Sequence, residues 1–357
     1  MDYAYKFPVV RGNQAAKEYF IAMVPLKMLS KIFPNEDEYV LPEYRAQRKL
    51  NETRIPVISR YITKNRDSYV FSALAASIDG EFEFHESPPG MGTGVLEISM
   101  DARFLINDGQ HRKAAIIDAL NEDATLGNET ISVVFYEDLG LSRSQQIFTD
   151  LNKHAVKTSN SISELYDSRD ELAVINRRVI TNVSFLNEYT DKEKDNLGKF
   201  SSKLFTLNTF YMSNKRIIGN NDLSKDAEEF LIKFWNGVSE NLTQWNELKN
   251  HEISKIDLRE NYIITQGVVM QAFGVIGFYF YKNKKIDMNG YLINLKNIDW
   301  KRSSLQWRLR VIRTDGKIIT SNKAINLTAI QIKKEIGLKL SEEEELKERN
   351  FFDSINV

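Results

Sequence analysis

From Tyr262 to Tyr281 the chain reads YIITQGVVMQAFGVIGFYFY, twenty residues without a charge. A segment this apolar has to leave water, either by crossing a bilayer or by entering a protein core. Gln266 and Gln271 would be costly facing lipid, three glycines weaken a free-standing helix, and no second span accompanies this one. The segment is therefore predicted to be a buried core helix of a protein that stays out of the membrane.

Such a helix needs a large surrounding core, and 357 residues are too many for a single one, so two domains are expected. With 42% hydrophobic and 27% charged residues the whole chain should fold. Up to about residue 160 the sequence mixes short strands, turns and short helices; beyond it long amphipathic helical patterns run to about Asn294. The fold class that follows is α+β, with a mixed domain over residues 1–160 and a mainly helical domain with a small β-hairpin over 161–357.

In the first part, Ile55, Ile58 and Ile62 share a helical face with Pro56 in the first turn. Extended stretches between Ser68 and Phe84 turn at Asp79-Gly80, and the glycine-rich run Pro89 to Gly94 lacks the Gly-Lys-Ser/Thr ending of a phosphate-binding loop, so it reads as a mobile connection near the site described below. Leu96 to Asn107 reads as two strands around Asp101, and Ile131 to Tyr136 as a third. Between them Ala114, Ala115, Ile117 and Leu120 form a small apolar stripe for packing a helix on a sheet. A further helix is expected over Ser142 to Asn152. In the second part helices are expected at about Ile162 to Val179, Ala227 to Lys249 and Ile263 to Tyr281, and a hairpin over Arg308 to Ser321 around Asp315-Gly316. Leu327 to Leu340 reads as a capping helix, because a helix-turn-helix there would carry Glu342 to Glu345 into the phosphates. Ser341 to Arg349 reads as an acidic, solvated ending.

Several functions are excluded at once. The chain has no cysteine and four histidines, which removes disulfides, thiol catalysis and cysteine-ligated zinc; His85 and His251 have no ligand-spaced partners. Met1 to Pro8 lacks the apolar run of a signal peptide, which points to the cytoplasm. A net charge of −1 gives no global attraction to nucleic acid, so contact with DNA has to come from local patches.

The residues Asn107-Asp108-Gly109-Gln110-His111-Arg112 lie where a strand passes through a glycine turn into a helix. Unpaired amides and the helix dipole favour an anion at such a start. Gly109 allows close backbone approach, Arg112 offers a planar fork of donors, and His111 a ring nitrogen. Asp108 would repel phosphate unless it caps the helix, orients His111 or binds Mg²⁺.

The run Phe104-Leu105-Ile106-Asn107-Asp108-Gly109-Gln110-His111-Arg112-Lys113-Ala114-Ala115 contains a complete DGQHR signature, and Gln47-Arg48-Lys49-Leu50-Asn51 followed by Arg54-Ile55 looks like its companion segment. Together they resemble the DndB family of DNA sulfur-modification (phosphorothioation) proteins. The resemblance implies a first domain similar to the ParB and sulfiredoxin superfamily. In ParB-like proteins the corresponding turn grips nucleotide phosphates, which makes Gly109, Gln110, His111 and Arg112 candidates. A second ParB segment resembles Leu151 to Ala155, where only Asn152 matches, with Lys153 and His154 as further phosphate contacts. Gln110 stands where sulfiredoxin has its cysteine nucleophile, so thiol chemistry is not implied.

Between Lys301 and Lys323 lie the cations Lys301, Arg302, Arg308, Arg310, Arg313, Lys317 and Lys323, against the single acid Asp315. Trp300 and Trp307 are either core residues or flat faces for sugars and bases. Two functions follow. The resemblance implies a transcriptional regulator that binds double-stranded promoter DNA of a phosphorothioation gene cluster, alongside other proteins of that system and as a homo-oligomer, with Arg48, Arg112, Lys153 and the 301–323 cations on phosphates. The alternative is a nucleotide switch or NTP hydrolase, extending to DNA nicking, that uses Asp108, His111 and Arg112 with ATP or CTP and Mg²⁺.

Overall fold

In the computed structural model, which describes residues 3–33, 50–137, 146–151, 158–198, 200–219 and 223–355, the chain forms two compact units, Met1–Val156 and Lys157–Val357. The first is built on a seven-stranded sheet: β1 (Ala4–Gln14), β2 (Lys17–Pro25), β3 (Leu74–Asp79), β4 (Phe82–Glu86), β5 (Thr93–Ser99), β6 (Arg103–Asp108) and β7 (Thr130–Glu137), in the spatial order β4-β5-β1-β2-β7-β3-β6. All neighbours are antiparallel except β3 and β7.

The pairings show how this sheet closes. β3 leads into β4 and β5 leads into β6 across short bends, and β4 pairs with β5 while β3 pairs with β6. The four are thus one long hairpin, bent in the middle, where Ser99 N–H donates to Glu81 O at 3.0 Å. Its outer half lies on β1 and its base on β7, so the path through β2 returns to its start and the sheet curls into a barrel. Alternation fills the interior: Phe7 and Phe20 point inward from β1 and β2, and Phe135 lies 5.8 Å from both Phe7 and Phe104, residues on strands that are not its neighbours. The registers set Thr93, Val10, Ile21, Val134, Ala75 and Asp108 on one row. At this row the chain nevertheless enters β5 at Thr93 from the glycine-rich connection, at the tip of the long hairpin, and leaves β6 at Asp108, at its base, so the connection expected near the Asp108 turn stands at the opposite end of the hairpin. The connection is fastened rather than loose: Gly92 N–H donates to Glu86 Oε1 at 2.8 Å, and this bond holds the Glu86 carboxyl below its usual range.

The longer helices of this unit among the described residues are α1 (Ile55–Lys64), which carries Pro56 in its first turn, and α2 (Gln110–Glu122), which packs on α1. The buried face of α2 is Ala115, Ile116 and Ala119, with Lys113, one step round from the stripe expected at Ala114, Ala115, Ile117 and Leu120. Residues 146–151 are helical, while the serine that was expected to cap them lies outside the described residues.

The second unit is mainly helical, and its longer helices are α3 (Glu171–Asn182), α4 (Leu207–Ile218), α5 (Lys225–Asn241), α6 (Gly267–Lys282), α7 (Asn322–Glu335) and α8 (Glu342–Ile355). The uncharged segment becomes α6, buried along most of its length between α4 and α7. Its glycines admit α4: a Cβ on Gly274 would meet Ser213 O at 2.8 Å, and one on Gly277 would meet Ile217 Cδ1 at 2.8 Å. Gln271 is satisfied by Arg216 Nε at 3.0 Å. No helix among the described residues is long and apolar enough to cross a membrane.

Several elements of the second unit differ from the sequence expectations. The helix expected over Ile162 to Val179 breaks into Asn160–Tyr166 and α3, because Asp167 and Asp170 accept backbone N–H groups in the intervening turn and Asp170 caps α3. The stretch Ala227 to Lys249 is α5 followed by Thr243–Lys249. The Arg308 to Ser321 hairpin is reduced to isolated bridges, Arg308 with Ile312 and Ile312 with Ile318, around the Asp315-Gly316 turn. α7 is a core helix rather than a cap, with Ala324, Ile325, Ala329, Ile330 and Ile332 buried. The acidic ending is docked as well: Glu344 accepts from Lys333 at 2.5 Å and Glu348 from Lys334 at 2.9 Å.

Candidate nucleic-acid interface

At the Asp108 turn the local geometry follows from Gly109, whose φ of +98° belongs to the left-handed region and which serves as the N-cap of α2 without a side-chain cap. A Cβ there would lie 2.4 Å from Leu74 Cδ2, so the turn admits glycine alone. The helix start resembles an anion site in this respect, but Arg112 does not face outward. Its Nη1 donates to Ser72 O at 2.9 Å and to Ala73 O at 3.0 Å, and also to the Ser72 hydroxyl, while Nη2 donates to Asp108 Oδ2 at 2.6 Å. The guanidinium, 16% exposed, ties the approach to β3 onto the end of β6. His111 is similarly engaged: its Nε2 accepts the Asn51 N–H at 3.0 Å. The Asp108 turn and the stretch that leads into α1 are thus joined by a hydrogen bond.

Asp108 and Arg112 neutralise each other, and among the described residues no group of three acidic or histidine side chains is disposed to hold a metal ion. Arg48, Asn152, Lys153 and His154 lie outside the described residues.

The basic segment of the second unit starts from a rigid base. Trp300 and Trp307 are buried and stacked, with ring centroids 5.3 Å apart and planes 8° from parallel. Their indole N–H groups donate to Leu295 O at 3.1 Å and Asp299 O at 2.7 Å. Both tryptophans are core residues. From this base Lys301, Arg308, Arg313, Lys317 and Lys323 are exposed and Arg302 is half-buried. Asp315, the one acid between them, pairs with Arg313 at 3.5 Å.

Arg310 leaves this set. Strand alternation would have placed Arg308 and Arg310 on one face, but Leu309 adopts a φ of +62°, the chain reverses so that Leu309 N–H donates to Ile312 O at 2.7 Å, and Arg310 turns inward. It is 2% exposed and paired with Glu348. Sequence reading also missed the opposite wall of this region, Asp257, Asn261 and Tyr262, which an antiparallel bridge between Tyr262 and Lys301 brings beside the cations. These residues precede the uncharged helix and carry no motif of their own.

No curated protein and no solved structure matches this chain. Residues 7–339 match the model of a family described as DndB, DNA-sulfur modification-associated, and the chain belongs to that family.

Proposed function

We propose that the protein is a DNA-binding regulator of a DNA-sulfur modification gene cluster, and that it holds duplex phosphates through the exposed cations of residues 301–323. The observation that carries this reading is the rigid presentation of Lys301, Arg308, Arg313, Lys317 and Lys323 from a segment anchored by two stacked tryptophans, with one acid among them. Cations carried on an anchored backbone require little ordering of that backbone on binding, and they release counterions from the phosphates they neutralise. The family's link to DNA modification supplies the substrate. Promoter recognition, homo-oligomerisation and contact with other proteins of the system belong to the same proposal. The nucleotide-switch alternative is weaker, because Asp108, His111 and Arg112 are committed to internal partners.

The test is a titration of labelled duplex DNA, from upstream of the gene and of unrelated sequence, at several salt concentrations. Binding should weaken with salt, and Arg308→Glu with Lys317→Glu should lower the logarithmic slope by about 0.9 for each phosphate that is no longer neutralised. A regulator should also prefer its own upstream DNA by about a thousandfold or more. Unchanged affinity and slope in the double variant would overturn the assignment of this surface.

A further inference from the structure

Beside the exposed cations lies a cleft of about 570 Å³, within the range of small-ligand sites. One wall is the run Lys301-Arg302-Ser303; the other is Asp257, Asn261 and Tyr262, and Ile312 adds an apolar surface. The walls are held together by backbone: Tyr262 and Lys301 form an antiparallel bridge, Arg302 N–H donates to Asn261 O at 2.7 Å, and Ile263 N–H donates to Trp300 O at 3.0 Å. Arg302 Nη2 donates to Gly316 O at 2.9 Å, which secures the turn at the rim.

The cleft is chemically two-ended. Lys301 and Arg302 have no acidic partner within ion-pair distance among the described residues, so that wall is cationic. The other wall carries the acid: Asp257 Oδ1 accepts from the Asn261 amide at 2.6 Å, and burial together with the charges of Asp257, Glu247 and Asp299 pushes the Tyr262 phenol up from its ordinary value, so its hydroxyl keeps its proton. A simple anion would meet this acidic wall and be repelled. A ligand with a phosphate at one end and ring N–H donors on a flat body at the other satisfies both walls, with the Tyr262 ring as a stacking face.

We propose that this cleft binds one nucleoside phosphate unit, its phosphate toward Lys301 and Arg302 and its base against Tyr262 and the Asn261–Asp257 pair. The unit is either a free nucleotide or an unpaired nucleotide of a DNA strand. The inference rests on the DNA-binding reading for its location, since Lys301 and Arg302 belong to both surfaces.

The experiment uses the full chain and three probes: a paired duplex, the same duplex with one bulged nucleotide, and free deoxyadenosine monophosphate. Ser303→Trp fills the cleft from an exposed position, and Tyr262→Ala removes the stacking face. If the source is a strand, the bulged duplex binds about tenfold or more tightly than the paired one, and both variants abolish the difference while paired-duplex affinity is retained. If the source is free nucleotide, the monophosphate binds, both variants abolish its binding, and the bulge makes no difference. Equal binding of the two duplexes with no binding of the monophosphate overturns the cleft and leaves the DNA-binding reading standing. Failure to bind any of the three overturns both.

Discussion

Arg310 and Glu348 form a two-point ion pair inside the helical unit, with Nη1 to Oε2 and Nη2 to Oε1 both at 2.7 Å, and the Phe351 ring lies 4.2 Å from the guanidinium carbon. Burial alone would raise the Glu348 carboxyl, but hydrogen bonds from Arg310 and Lys334 outweigh it and hold the group below its usual range. Removing one partner leaves a buried charge without its counterion, so Glu348→Ala is expected to lower unfolding free energy by about 3–5 kcal/mol. The paired replacement Arg310→Met with Glu348→Leu should recover most of that loss. Denaturant titration measures both, and equal losses in the single and paired variants would show that the ion pair is not the origin. Because the folded-state carboxyl titrates lower than the unfolded one, its contribution is present at neutral pH and is lost on acidification through the folded-state value.

Arg112 offers the cleanest separation of structure from binding. Its donors are occupied by Ser72, Ala73 and Asp108. Arg112→Lys cannot reproduce a planar fork that reaches several acceptors, so the variant should lose about 2 kcal/mol of stability or more. At a temperature where it remains folded, its DNA affinity and salt slope should equal those of the parent. A slope lower by about one would instead place Arg112 on a phosphate.

The sequence is legible where physical periodicity is strong. The uncharged run had to be a core helix, because the two glutamines found partners or solvent only if the helix was inside a protein, and the glycines marked where α4 approaches. Strands β5, β6 and β7 were readable from alternation and from the glycine before α2. The hairpin of β1 and β2 was not, since its two-residue turn is Ala15-Ala16 and has none of the asparagine or glycine chemistry that announces such turns. In the candidate interface, charge spacing alone found the exposed cations but misassigned Arg310, because a left-handed leucine is invisible in composition. The commitment of Arg112 to internal carbonyls was equally hidden, as it depends on Ser72 and Ala73, far away in sequence.

The same alanine turn makes a stability prediction. Ala15 and Ala16 have φ of +52° and +59°, and left-handed backbone costs an L-residue about 1–2 kcal/mol. Asn-Gly at these positions suits the turn that joins Gln14 to Lys17. The variant Ala15→Asn with Ala16→Gly should raise unfolding free energy by about 1 kcal/mol, after the loss of chain entropy at the new glycine is subtracted. Thermal unfolding checks this, and a lower midpoint would mean that the turn is not of this type.

Glu164 is the opposite case to Glu348, a carboxyl whose Oε2 is buried without a hydrogen-bond partner among the described residues. Burial first, then the charges of Asp195 and Asp170, push it up to about 8 from an ordinary 4.5. Asp195 cannot readily move away, because it accepts Asn160 N–H at 2.8 Å and Ser161 N–H at 2.9 Å, and Asp170 accepts the Tyr211 hydroxyl at 2.6 Å. Between these two values the folded state holds a proton that the unfolded chain releases, so stability falls as pH rises through that window and the penalty is complete above the folded-state value. Glu164→Gln keeps the shape and removes the charge. It should raise the midpoint of thermal unfolding at pH 8.5, change it little at pH 4.5, and flatten the decline between them. A parallel shift at every pH would locate the effect in packing, and an unchanged decline would mean that Glu164 is already ionised in the fold.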